Sequence, residues 1–76
     1  MPFIHVRAWP GRDEETKKKT AEAIVKSASE AMGAPESAFT LIYEDVEREK
    51  WEKDVVQTII DPIRDKVYIE HGKSVK

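Results

Sequence analysis

The chain has 76 residues and no cysteine, so it forms at most one small domain and excludes disulfides, thiol catalysis and cysteine-bound zinc. Its formal net charge of -2, with 37% charged residues, lacks the basic excess that a nucleic-acid-binding face needs. His5 and His71 have no ligand-like spacing, no apolar run reaches membrane-spanning length, and the first residues carry no signal-peptide pattern. A cytoplasmic protein without metal, membrane or nucleic-acid partner is therefore expected. Glu and Lys dominate the polar residues, asparagine is absent and Gln57 is the one glutamine, a usage that resembles thermophile proteins.

Residues 2–9, PFIHVRAW, alternate in polarity. Ile4, Val6 and Ala8 share one face, and Phe3, His5, Arg7 and Trp9 the other, which predicts a half-buried strand ended by Pro10-Gly11. Asp13 is placed to cap a helix whose first turn holds Glu14 and Glu15. Ala21, Ile24, Val25, Ala28, Ala31 and Met32 form its apolar stripe. Glu14–Lys18, Glu15–Lys19 and Glu22–Lys26 are supporting pairs four apart, which makes Lys17, Lys18 and Lys19 an exposed, charge-balanced face. Gly33 is the natural residue after the helix, with Pro35 two positions on.

FTLIYEDV, residues 39–46, reads as a second strand with Phe39, Leu41 and Tyr43 on one face and Thr40, Ile42 and Glu44 on the other. Strand, helix and strand without a hairpin predict a βαβ unit with parallel strands and a right-handed crossover. Beyond it, Trp51, Val55, Val56, Ile59 and Ile60 have helical spacing. Asp61-Pro62 starts a further helical turn through Ile63, Val67 and Tyr68, ended by His71-Gly72. The expected organisation is an α/β (α+β) single domain over 2–72 with C-terminal helical segments, and a loose tail at 73–76. Two strands are not stable alone, so a second copy of the chain is expected to complete the sheet.

Pro2, Gly11-Arg12, the acidic helix start and Ala34-Pro35 before the second strand together resemble the tautomerase superfamily, and most closely the oxalocrotonate tautomerase family of very short chains. The resemblance covers most of the chain, with Trp51 at the position of a functional aromatic. IIDPI at 59–63 and Trp9-Pro10 are similar to a longer, dimeric branch that includes phenylpyruvate-type tautomerases. The resemblance implies a cofactor-independent keto–enol tautomerase, an isomerase in which Met1 is removed and the nitrogen of Pro2 is the general base. It implies Arg12 as the carboxylate binder, often supplied by a neighbouring subunit, and Trp51 and Trp9 as apolar walls. Thr40 stands where muconate-processing members carry a second arginine, which favours a monocarboxylate or enol-ketone substrate. The implied partner is a second copy, a homodimer in preference to a hexamer.

The chemistry of Pro2 stands on its own. A chain-terminal amine titrates at roughly 8; apolar surroundings or a nearby cation lower that value toward neutrality, where a general base works best. The bland readings are a chance Met-Pro start, a solvated Arg12 pairing with Glu14 or Glu15, and Trp51 as core against the sheet. Trp9, His5 and Arg7 read more readily as packing or interface residues. No nucleophile turn supports a Ser-His-Asp triad. Two other function classes fit the same residues: a non-catalytic oligomeric domain, and a dehalogenase or decarboxylase relative that adds water with Glu44 or Asp45 as its acidic partner.

Overall fold

Alternating polarity at the start of the chain builds strand β1, Phe3–Ala8, in which Ile4 and Val6 are half-buried and Phe3 and His5 exposed. The computed structural model describes residues 1–76 as two units, Met1–Val46 and Glu47–Lys76.

In the first unit β1 leads through residues 9–13 to helix α1, Glu14–Met32, and on to strand β2, Thr40–Asp45. The Asp13 carboxylate caps α1 by accepting from the Thr16 N–H at 2.8 Å. At the other end Gly33 takes the left-handed conformation, and the Gly33 and Ala34 N–H groups both donate to the Ser29 carbonyl. The half-buried side of α1 is Lys17, Thr20, Ala21, Ile24, Val25, Ala28 and Ser29, while Ala31 and Met32 are exposed. The predicted apolar stripe thus stops a turn early, and a lysine and a threonine extend its other end.

The strands pair in parallel, with Phe3 opposite Thr40, His5 opposite Ile42 and Ala8 opposite Asp45. Hydrogen bonds from Thr40 N to the Pro2 carbonyl (3.2 Å) and from Val46 N to the Ala8 carbonyl (2.8 Å) flank the ladder. Leu41 and Tyr43 are half-buried and α1 packs against β2. This is the βαβ unit that the polarity pattern predicts. The opposite face of the sheet leaves Phe3 60% and Ile42 42% exposed.

The second unit starts with a 3-10 turn at Arg48–Lys50 and continues into helix α2, Glu52–Ile60. This helix is wound wide, with i→i+5 bonding in place of the α-helical winding the spacing predicts. Wide turns bring residues four and five apart onto one side, which suits Trp51, Val55, Val56, Ile59 and Ile60. The Thr58 hydroxyl donates to the Lys53 carbonyl five residues back. Val55 is the buried member of this side.

Two expectations at the C-terminus are corrected. Asp61–Lys66 is a 3-10 segment with non-helical backbone at Ile63, and Val67 is already extended, so the helical stretch stops before Tyr68. Ile69–Glu70 (β3) then pairs antiparallel with Lys73–Ser74 (β4), where a loose tail is expected from sequence. His71 (φ 51°) and Gly72 (φ 77°) are the two loop residues of this hairpin. Successive positive φ values match the right-handed twist of two short strands, a conformation glycine adopts freely and other residues rarely. No helix is long and apolar enough to cross a membrane.

Candidate active site

Pro2 stands at the head of β1, half-buried, behind a fully exposed Met1. Its carbonyl accepts the Thr40 N–H, and its nitrogen, which carries no amide hydrogen, owes the sheet nothing. The structure thus joins Pro2 and Thr40 at one end of the sheet. The Thr40 side chain lies on the strand's exposed side.

Arg12 lies at the other end. Gly11, at φ 127°, turns the chain from β1 toward α1 in a conformation open chiefly to glycine. The Arg12 guanidinium donates to the Trp9 carbonyl at 3.1 Å, which holds its head beside the end of β1. Trp9 is 46% exposed. At about 3.3 Å per residue, the strand separates the Pro2 nitrogen from this guanidinium by roughly 20 Å. Within one chain, Trp9 and Arg12 are brought together, and Pro2 and Arg12 are not.

Trp51 belongs to the second unit, where it lines a cavity of about 600 Å³ with Val56 and Ile60 of α2 and Ile69 of the hairpin. Arg64 stands at its edge, with one guanidinium nitrogen on Asp61 at 2.8 Å and another on Glu70 at 2.7 Å. These bonds push the Arg64 guanidinium further up, the Asp61 bond first, and the Arg64 bond holds the Glu70 carboxyl below its ordinary range. A smaller cavity of about 260 Å³ lies between α1 and β2, beside Lys17, Leu41 and Tyr43, and none of the residues predicted for the site lines it.

Two charged clusters escape the sequence reading because one depends on strand register and the other on the packing of α1 against β2. On the outer sheet face Glu44 is hydrogen-bonded to His5 Nε2 and lies 3.6 Å from the Arg7 guanidinium. On the inner side Lys17 reaches across to Asp45 at 2.8 Å, with the Tyr43 ring 5.7 Å away. That bond raises the Lys17 pKa, and it removes Lys17 from the simple solvated face expected for the lysine run. Lys19 stays there, paired with Glu15 at 3.3 Å. The signal for the first cluster is the parallel pairing, which sets Arg7 opposite Glu44. No three His, Asp or Glu side chains converge on a metal-sized site.

The family model described as "Tautomerase enzyme" matches residues 2–56, a span that takes in β1, α1, β2 and Trp51. A "Probable tautomerase" of Bacillus cereus is 38% identical over 48 residues, 63% of this chain and 79% of its own length. A "Probable tautomerase" of Bacillus anthracis matches to the same extent. One of Lactococcus lactis is 41% identical over 46 residues, 60% of this chain and 75% of its own length. No solved structure matches significantly. With its β1–α1–β2 core and Pro2 inside the matched span, the chain belongs to the tautomerase family.

Proposed function

We propose that the protein is a cofactor-independent keto–enol tautomerase, an isomerase in which the nitrogen of Pro2, exposed by removal of Met1, is the general base. The observation that carries this reading is the setting of Pro2: half-buried at a strand head, held through its carbonyl, with its nitrogen outside every ladder bond. Partial burial disfavours a charged amine and moves its pKa toward neutrality. In ketonisation, Pro2 nitrogen takes the enol O–H proton as the C–O bond becomes a carbonyl. The electron pair of the former C=C bond then takes a proton back from the ammonium at carbon. Atoms and charge balance without a cofactor.

Arg12 binds the substrate carboxylate from a second copy of the chain. The roughly 20 Å between Pro2 and the Arg12 head within one chain supports this arrangement, since one small acid cannot bridge that span. A second copy also covers what a two-stranded sheet leaves open, with Phe3 and Ile42 exposed. The length of chain after Trp51 favours a dimer over a hexamer. Thr40 offers a hydroxyl and no second cation, so the substrate carries one carboxylate. Trp51 and Trp9 pack its apolar remainder. Cytoplasmic residence remains the expected setting.

The hydration chemistry of dehalogenase-type relatives is less well supported, because Glu44 is engaged by His5 and Arg7 and Asp45 by Lys17. Intact mass followed by ketonisation assays with phenylenolpyruvate and 2-hydroxymuconate tests the reading. Loss of Met1 and turnover of the monocarboxylate enol are expected. Full turnover by a protein that keeps Met1 removes Pro2 from the mechanism, and no turnover by the processed protein leaves a non-catalytic domain.

A further inference from the structure

Residues 9–13 join β1 to α1 and carry Trp9 and Arg12, and both ends of this turn are tied to the end of β2. On the strand side Ala8 stands opposite Asp45, and its carbonyl accepts the Val46 N–H at 2.8 Å. On the helix side Lys17, in the first turn of α1, donates from Nζ to the Asp45 carboxylate at 2.8 Å. The backbone N–H of the same lysine donates to the carbonyl of Asp13, where the turn ends, at 3.1 Å. The bonds close a ring, from Ala8 through the turn to Lys17 and back through Asp45.

The ion pair sits where the fold has little else to hold the turn. Glu14, Glu15 and Thr16 are exposed, and the next half-buried residues of α1, Thr20 and Ala21, come nearly a turn after Lys17. The paired side chains are only 22% and 35% exposed, so solvent screens them less than a fully solvated pair. Gly11, at φ 127°, gives the turn backbone freedom that fixed ends must restrain. Inside the ring the Arg12 guanidinium rests on the Trp9 carbonyl at 3.1 Å. We propose that the Lys17–Asp45 ion pair is a clasp that fixes the 9–13 turn and thereby aims Arg12 at the substrate carboxylate. Lys17 and Asp45 are positioning residues and touch no reacting atom. In giving Arg12 the carboxylate the inference rests on the tautomerase reading; the clasp itself rests on the ring of bonds. A planar fork recognises a carboxylate by direction as well as charge, so a displacement of about an ångström weakens the contact.

Two measurements on the full chain test this. The first is steady-state kinetics at pH 7 with phenylenolpyruvate and with its methyl ester, a neutral enol of similar shape. Lys17→Met and Asp45→Asn should each raise KM for the acid about three- to fivefold, the scale of a half-exposed ion pair. Neither should change kcat or the kinetics of the ester. The double variant should lose no more than either single one, and Lys17→Arg should recover most of the KM. Asp45→Asn separates a clasp from a direct contact. It leaves the Lys17 charge in place and unpaired, so a lysine that bound substrate itself would lower KM there. A lower KM in Asp45→Asn overturns the proposal, as does an unchanged KM in Lys17→Met. A loss shared equally by acid and ester also overturns it, because the pair then serves the fold alone. The second measurement needs no substrate. NMR order parameters of the Gly11 amide and the Arg12 Nε–H should fall in Lys17→Met and Asp45→Asn, with the Gly33 amide unchanged. Unaltered values at Gly11 and Arg12 overturn the clasp. Altered values in a protein whose wild type turns over no enol defeat the tautomerase reading and leave the clasp standing.

Discussion

At the scale of single residues, Arg12 and Asp13 are neighbours with separable roles. Arg12 holds no partner in the sheet ladder; its guanidinium donates to the Trp9 carbonyl just outside β1. Its removal should therefore act on substrate. A charge-assisted hydrogen bond to a carboxylate contributes roughly 1.5–3 kcal/mol, so Arg12→Ala should lower kcat/KM for a carboxylate enol about ten- to a hundredfold. Arg12→Lys should rescue part of this, because lysine lacks the planar fork. A neutral enol should be nearly unaffected; equal losses on both substrates would show that Arg12 serves the fold or the base. Asp13 acts on the helix instead. Hydrogen bonds from Thr16 hold its carboxyl below the ordinary 3.8. A carboxyl lowered on folding stabilises above its unfolded pKa, and that contribution fades as pH falls through the folded one. Lys17 has the opposite sign: its bond to Asp45 raises it above 10.5, so its contribution is present below that pH and fades in stronger alkali. Thermal melts across pH should show Asp13→Ala lowering Tm at neutral pH, with the difference from wild type closing in acid. Lys17→Met should close its difference from wild type toward the alkaline end.

At the scale of elements, the hairpin at the C-terminus makes the sharpest prediction. Gly72 sits at φ 77° after His71 at φ 51°, and a side chain at Gly72 is strained even though the space around it is open. Gly72→Ala should destabilise the hairpin locally by about 1 kcal/mol. Faster amide exchange at Val75, whose N–H donates to Tyr68, with unchanged exchange in β1 and β2, is the expected outcome. That hairpin is also where the sequence is hardest to read. Its strands are two residues each, too short to show alternation, and His-Gly is a weaker turn signal than Asn-Gly. The wide winding of α2 is hidden for a related reason, since apolar residues at Trp51, Val55, Val56, Ile59 and Ile60 fit several helical windings. By contrast, β1, α1 and β2 carry redundant signals: alternation in Ile4, Val6 and Ala8, a cap at Asp13, a stop at Gly33. Candidate residues at element ends, Pro2, Thr40 and Arg12, inherit that legibility. Lys17 and Asp45 do not, because their bond joins residues 28 apart through the packing of α1 on β2.

For the whole molecule, the core is thin. Val46 and Val55 are its buried hydrophobic residues, one in each unit, while Phe3, Trp9 and Tyr68 remain largely exposed. So little burial leaves a small folding free energy unless association adds to it. The melting temperature should accordingly rise with protein concentration over the micromolar range, and sedimentation should report at least a dimer. A concentration-independent melt with a stable monomer would contradict this. The division of labour between copies has its own test. Mixing Pro2→Ala and Arg12→Ala chains gives mixed dimers in which one site draws an intact Pro2 and an intact Arg12 from different chains. If Arg12 acts across the interface, the mixture should recover about a quarter of wild-type activity in the two-fold case, from two nearly inactive parents. Recovery no greater than the parents' sum would place Arg12 in its own chain's site.

The bond from Thr40 N–H to the Pro2 carbonyl has a practical consequence. The sheet is anchored on the far side of the proline ring from the Met1–Pro2 peptide bond, and Met1 is wholly exposed. Chains with and without Met1 therefore share the same ladder and should melt alike, give the same circular dichroism and elute together. With Pro2 as the proposed base, a preparation could be well folded, homogeneous by every bulk criterion and still be a mixture of working and silent molecules. Its specific activity would then report the fidelity of aminopeptidase trimming in the expression host, and the fraction of chains lacking Met1, read from intact mass, would be the proper denominator for kcat.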